Sequence, residues 1–312
     1  MMLEGVEIED TYCEAFEGIV TRLLVTLRDE ELMHYTVAQS TALPSIVVGR
    51  TEAGLERWLQ GDKTPDKNPG FIAQIWGEWN PENPEKSLKK FYKELGLRIR
   101  QGILVIPTTT VFNALESKDK FDLMENVGYC GDVYQSDVEL FDRKMIKIPL
   151  MMGDWFIERH VGYTTGISGG NIWLMCDSEK NALKVGKKIV DTLIHVENIV
   201  TPFAICSAGS KTVYKGQPHP EIGPTTNHQY CPSLRTEIDE SLVPEGVVSI
   251  PEIVINGLTM VDVKQAMSLA IKVGVKSKGV LKISAGNFGG NLGKYKIHLN
   301  DLYNDIDRKI DK

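Results

Sequence analysis

One acid interrupts the apolar run "VVSIPEIVINGL" (247–258), and the placement of Glu252 there calls for a chemical reason. Residues 250–255 have strand character, with Asn256-Gly257 as the turn that follows. At a period of two, Glu252 shares its face with Ile250 and Val254. Two states fit. The acid is either at a wet sheet edge, where it does nothing, or among aliphatic neighbours that make it useful for proton transfer near neutral pH. The local pattern leaves both open.

Two Gly-Asn loops come next. "GISGGNIWLMC" sets Gly169, Gly170 and Asn171 just before a strand, and "SAGNFGGNLGKYK" sets Ser284, Gly286 and Asn287 after the last one, with Lys294 and Lys296 nearby. Glycine lets a backbone turn tightly and approach a ligand, and these two loops are expected to bind substrate. The second loop lacks the glycine-lysine-hydroxyl order of a phosphate-binding P-loop. "PTTNHQYCPSL" (224–234) gathers Thr225, Asn227, His228 and Cys231. Hydrogen bonding to a polar substrate is expected of Thr225, Asn227 and His228. A Cys231–His228 nucleophilic pair is the competing local interpretation.

The elements that must position these residues follow one repeated pattern: strand, amphipathic helix, strand. The four repeats are "GIVTRLLVTL" (18–27) to "SIVVGR" (45–50), through a helical stretch from Asp29; "FIAQIWG" (71–77) to "GILVIPT" (102–108), through a helix opened by Asn83-Pro84; "NIWLMC" (171–176) to "TPFAICSAGS" (201–210), through a helix presenting Val185, Ile189 and Leu193; and "EIVING" (252–257) to "GVLKISAGN" (279–287), through a helix opened by Thr259-x-x-Asp262. Two such units per lobe predict an α+β protein of two ferredoxin-like (βαββαβ) lobes, residues 1–150 and 151–312, the second carrying a long insertion at 210–247. Residues 129–151 read as extra strands or an excursion between the lobes. No G-x-G-x-x-G follows an early strand, which disfavours a doubly wound nucleotide fold.

Composition narrows the chemistry. A net charge of −7 without a basic cluster argues against nucleic acid as a partner. No apolar stretch of about 18 residues predicts a membrane span, and the start has no signal-peptide pattern, so a cytoplasmic protein is expected. The five cysteines form no C-x-x-C, and the six histidines form no H-x-H or H-x-x-x-H. Neither a disulfide framework nor a metal site is expected, which leaves carboxylates, hydroxyls and backbone groups to act.

"IEDTYCEAF", "TPDKNPGFIAQI", "IPTTTVF", "GISGGNIWLM", "TTNHQYCPSL", "PEIVING" and "KISAGNFGGNLGKYKIHL" occur in this order along nearly the whole chain. In this the sequence resembles the formylmethanofuran:tetrahydromethanopterin formyltransferases. The resemblance implies two ferredoxin-like lobes and a homodimer or homotetramer. It also implies cofactor-free formyl transfer between two small one-carbon carriers, methanofuran and tetrahydromethanopterin, which act as co-substrates. Glu252 falls where the family's catalytic glutamate lies, which implies a neutral acid that shuttles a proton. Asn256 departs from the aspartate expected in many relatives. The alternatives from other classes are a non-catalytic carrier-binding paralogue, or subunit of a formyltransferase/hydrolase complex, and an acyltransferase using Cys231 as nucleophile.

Overall fold

The structure is a computed structural model that describes residues 1–42, 51–209, 219, 221 and 225–302. It is an α+β protein in which strands outnumber helices and most strand pairs are antiparallel. Two compact units divide it: Glu17–Gly166, and Met1–Phe16 together with the described residues from Ile167 on. These two units meet at 166/167, and the first sixteen residues join the C-terminal half. They do so because Val6–Ile8 pairs in parallel with Val280–Ser284, and Tyr12 to Ala15 pair with Tyr295–His298.

In the Glu17–Gly166 unit the first strand is the part of Tyr12–Leu27 beyond Phe16. Asp29 caps a short 3-10 turn (Glu30–Leu32), and the helix Met33–Thr41 follows. "SIVVGR" (45–50) lies outside the described residues; the second strand described is Thr51–Leu59. The third strand is Gly70–Glu78, and Asn83 caps the helix Pro84–Ile99 that follows it.

"GILVIPT" is not a strand. A π-helical turn, Arg100–Leu104, extends the preceding helix, and the fourth strand is Thr109–Asn113. A short apolar run fits a buried helical turn as well as a strand, and here Ile99 and Ile103 both enter the core. Across the sheet the strands stand in the order second, third, first, fourth, all antiparallel. Gly153–Glu158 then pairs in parallel with the fourth strand, and Arg143–Leu150 and Ser136–Leu140 continue the sheet.

The other unit repeats the pattern with Thr164–Cys176, helix Glu179–Leu193, Ile199–Val200, Glu252–Gly257, helix Met260–Val275 and Val280–Ser284. Its order is again second, third, first, fourth, all antiparallel. "TPFAICSAGS" continues the second strand only as an isolated bridge, Cys206 to Glu252. Pro202, two residues past the strand, has no N–H for a ladder. Residue 210 is outside the described part. Thr259 and Asp262 form the expected reciprocal cap. Among the described residues no helix is long and apolar enough to cross a membrane.

The apolar faces of both helices in this unit pack on one sheet face, burying Ile172, Leu174, Ile253, Ile255, Val263 and Met267. Gly170 belongs to this core. A Cβ there would stand 2.6 Å from Val263 Cγ1 and 3.1 Å from the Ile255 carbonyl oxygen. Gly170→Ala should lower stability by about 1–3 kcal/mol, the usual cost of overpacking a core. Urea unfolding measures it, and an unchanged midpoint would return the glycine to a ligand-facing role.

Candidate active site

Strand alternation gives the sheet of the C-terminal unit a second face. With Ile172, Leu174 and Cys176 turned to the helices, Asn171, Trp173 and Met175 turn away from them, as do Glu252, Val254 and Ser284 on the neighbouring strands. The register sets Trp173 opposite Glu252 on one side and Ser284 on the other. Glu252, Trp173 and Ser284 therefore form a row across three strands. Described residues of the insertion fold over this row: Val243 and Val247 are buried against Trp173 and Met175, and Tyr230 and Ile250 pack beside them.

Glu252 is 5% exposed, so the wet-edge state is not the one found. The Trp173 indole Nε1–H donates to its Oε1 at 3.0 Å. Its backbone N–H and carbonyl exchange two hydrogen bonds with Cys206, both 2.9 Å. The Cys206 thiol also reaches the carboxyl; burial pushes that thiol's pKa up, and the acid beside it pushes the same way. The Trp173 ring is fixed in turn. Tyr230 meets it edge-on with centroids 4.6 Å apart, and a Cβ on Gly286 would stand 2.8 Å from its Cζ2. The close approach of ring to backbone explains why residue 286 is glycine.

A cavity of about 340 Å³ opens on this arrangement. Trp173, Cys206, Tyr230, Asn227, Cys231 and Thr226 line it, along with apolar side chains such as Ile205 and Ile250. The two side chains that bond Glu252, those of Trp173 and Cys206, thus form part of its wall.

The other sequence-derived candidates divide. Asn171 clamps the final loop: its Oδ1 accepts from Gly286 N–H at 2.7 Å, and its Nδ2 donates to the Gly286 carbonyl at 3.3 Å. Ser284 stands in the row and is buried. Asn227 lines the cavity, and its carbonyl accepts from Tyr230 N–H at 2.9 Å. Thr225 is half-buried in the loop. His228 turns Nε2 to Glu240 Oε1 at 3.6 Å. Gly169 takes a left-handed φ of +84° and donates to buried Asn256 Oδ1 at 2.9 Å, a structural turn. An amide at 256 accepts this bond without burying a charge. Asn287 ties its loop to Thr11 Oγ1 at 3.1 Å and the Tyr12 carbonyl at 3.3 Å. The Cys231 sulfur meets the Thr226 hydroxyl and the Asn227 carbonyl, neither of them a general base. Among the described residues no three His, Cys, Asp or Glu side chains come together to hold a metal.

Sequence reasoning missed Trp173, Cys206, Tyr230 and Glu14. The first three become neighbours of the acid only through register and loop folding. Glu14 carried the same signal as Glu252, an acid within an apolar strand. It is 1% exposed, and the Gly-rich loop wraps around it. Oε1 accepts from the N–H groups of Phe288 (2.7 Å) and Gly290 (2.6 Å), and Oε2 from those of Leu292 (2.9 Å) and Gly293 (2.6 Å). Burial pushes this carboxyl's pKa up, but the four donors outweigh it and hold the group below the usual carboxylate range. The loop that resembles an anion cradle already contains the protein's own carboxylate.

A family model described as formylmethanofuran-tetrahydromethanopterin formyltransferase matches residues 1–150, and one described as its proximal lobe matches 153–302. The chain belongs to the formylmethanofuran:tetrahydromethanopterin formyltransferase family. It is 50% identical over 300 residues to a formyltransferase-like protein of Archaeoglobus fulgidus, covering 96% of this chain and 97% of that one. To a formyltransferase of Methanothermobacter thermautotrophicus it is 39% identical over 307 residues, covering 97% and 100%. The solved formyltransferase of Methanosarcina barkeri superposes with a TM-score of 0.88 at 36% identity, covering 97% and 100%. A chain of the formyltransferase/hydrolase complex of Methylorubrum extorquens, solved with methylofuran, gives 0.87 at 29%, covering 97% and 98%.

In this member of the formyltransferase family, Glu14 should support the fold chiefly as an anion. Its depressed pKa contributes stability that is present above the unfolded value of about 4.3 and is lost as pH falls through the folded value. Glu14→Gln sets an NH₂ against two of the four donors. Each buried donor left unmatched costs about 1–3 kcal/mol, so the variant should lose roughly 2–6 kcal/mol at neutral pH. The gap from wild type should narrow as the medium is acidified below pH ~4.3. Denaturation at several pH values checks this; a gap independent of pH would contradict it.

Proposed function

We propose that the protein transfers a formyl group reversibly between formylmethanofuran and N5 of tetrahydromethanopterin, or a close pterin analogue, with Glu252 as neutral acid and proton shuttle. The observation that carries this reading is the buried Glu252 carboxyl, bonded by two side chains that line a cavity, in a chain of this family. Removal from water disfavours the ionised form and raises the pKa of a carboxyl. A neutral acid can then donate where negative charge or a leaving nitrogen develops.

The steps balance without a further reactant. The N5 lone pair attacks the formyl carbon, and the carbonyl electron pair moves onto oxygen. Glu252 gives its proton to the methanofuran nitrogen as that C–N bond breaks and the carbonyl re-forms. The carboxylate then takes the proton from N5 and is neutral again. Both carriers are co-substrates, and no metal or other cofactor enters the reaction. Asn171 and Gly286 serve the site by holding the Trp173 ring, Ser284 stands beside that ring, Gly169, Gly170 and Asn287 hold the surrounding turn, core and loop, and Thr225, Asn227 and His228 belong to the loop over it.

Both units are read as ferredoxin-like lobes, supported by their shared second-third-first-fourth strand order. A cytoplasmic homodimer or homotetramer is the assembly proposed, by likeness to the family. A second reading, a carrier-binding paralogue without turnover, rests on one observation. Archaeoglobus fulgidus holds both a formyltransferase and a formyltransferase-like protein, and this chain is 37% identical to the former against 50% to the latter.

Glu252→Gln separates the readings. It keeps the shape and a donor but not an exchangeable acid proton. Formyl transfer measured with purified protein and both carriers should fall by ~10²–10⁴-fold, with the Michaelis constants little changed. Wild type without turnover on either carrier would leave the paralogue reading. A variant keeping more than about a tenth of the wild-type rate would remove Glu252 from the chemistry.

A further inference from the structure

Glu252 has two oxygens, and the proton it carries must reside on one of them. We propose that Trp173 is the positioning residue of this site: its indole N–H, donated to Oε1, fixes how the Glu252 carboxyl is held for proton transfer. The inference deepens the proposed function and rests on it for its catalytic meaning. Indole nitrogen donates and never accepts. A donor held 3.0 Å from Oε1 therefore favours the carbonyl form of that oxygen in the neutral acid. The donor cannot drift, because Tyr230 and the Gly286 backbone hold the ring and Asn171 holds Gly286.

The same bond has a second effect. It is stronger to a carboxylate than to a carboxylic acid, so it stabilises the state formed when Glu252 gives its proton away. Burial and the indole N–H then act on the acid in opposite directions. The titratable groups that face the cavity beside it are Cys206 on the bridged segment, Tyr230 and Cys231 on the loop, and Glu179. Lys282 stands on the same sheet face, held by Glu7 at 3.3 Å and Glu9 at 3.2 Å. Burial raises the Cys206 thiol and the Tyr230 phenol, so both stay neutral while Glu252 titrates.

The test uses the full chain labelled with 15N in its tryptophan indoles, of which there are five. One indole resonance should titrate with the same midpoint as the alkaline limb of turnover, and it should be flat in Glu252→Gln. Trp173→Phe keeps most of the ring's packing and removes the N–H. Its alkaline limb should move up by about 1–2 pH units and its kcat fall by about 10- to 100-fold, from loss of one bond to a charged group, with KM within about twofold. No titrating indole in wild type across pH ~5–9.5, or a Trp173→Phe limb left in place, would overturn the positioning role even if Glu252→Gln is inactive. An indole that titrates while Glu252→Gln still turns over would instead remove the proposed chemistry and leave only a structural bond. If Trp173→Phe does not fold, wild type against Glu252→Gln decides alone.

Discussion

The hydrogen bond from Trp173 to Glu252 organises this half of the molecule, because it lets an acid remain inside a sheet face that is covered by protein. A buried carboxyl without a partner costs several kcal/mol or changes protonation state. Its position depends on a register in which Trp173 meets Glu252 and Ser284 at once. A one-residue slip of the third strand would turn Glu252 into the helix-side core and bring Ile253 to the cavity side. The insertion adds the cover, through Tyr230, Val243 and Val247, and so supplies both the low dielectric and the cavity.

A second acid, Glu14, solves a different problem by the opposite means. Four backbone N–H groups surround it and keep it ionised, whereas Glu252 meets an indole and a thiol. The Glu14 cradle fixes residues 288–293, and the Asn171 clamp fixes Gly286 at the head of the same loop. The loop is thereby tied at both ends, and its first glycine presses on the Trp173 ring. The two acids are therefore linked in structure: one shapes the loop that holds the ring that holds the other.

Much of this was legible in the sequence where local chemistry decides. The caps at Asn83 and Thr259, the amphipathic helices and the strand at Glu252 follow from spacing and residue type. The "GILVIPT" segment misleads because short apolar runs serve buried helical turns as well as strands. The Gly-Asn loops read as ligand cradles, yet Gly170 faces Val263 and the second loop encloses Glu14. Long-range pairing hid these contacts: Glu14 and Gly293 are far apart in sequence, and no periodicity reports their meeting. Trp173 was invisible as a site residue for the same reason, since its role exists only across strands.

The proposed role of Glu252 requires a carboxyl that is protonated at neutral pH. Infrared difference spectroscopy of wild type against Glu252→Gln measures this directly. A protonated carboxyl C=O stretch should be present in wild type at pH ~7, absent from the variant, and replaced by carboxylate bands as the medium turns alkaline. A wild-type spectrum at pH ~7 whose Glu252 signal is already that of an ionised carboxylate would contradict the account.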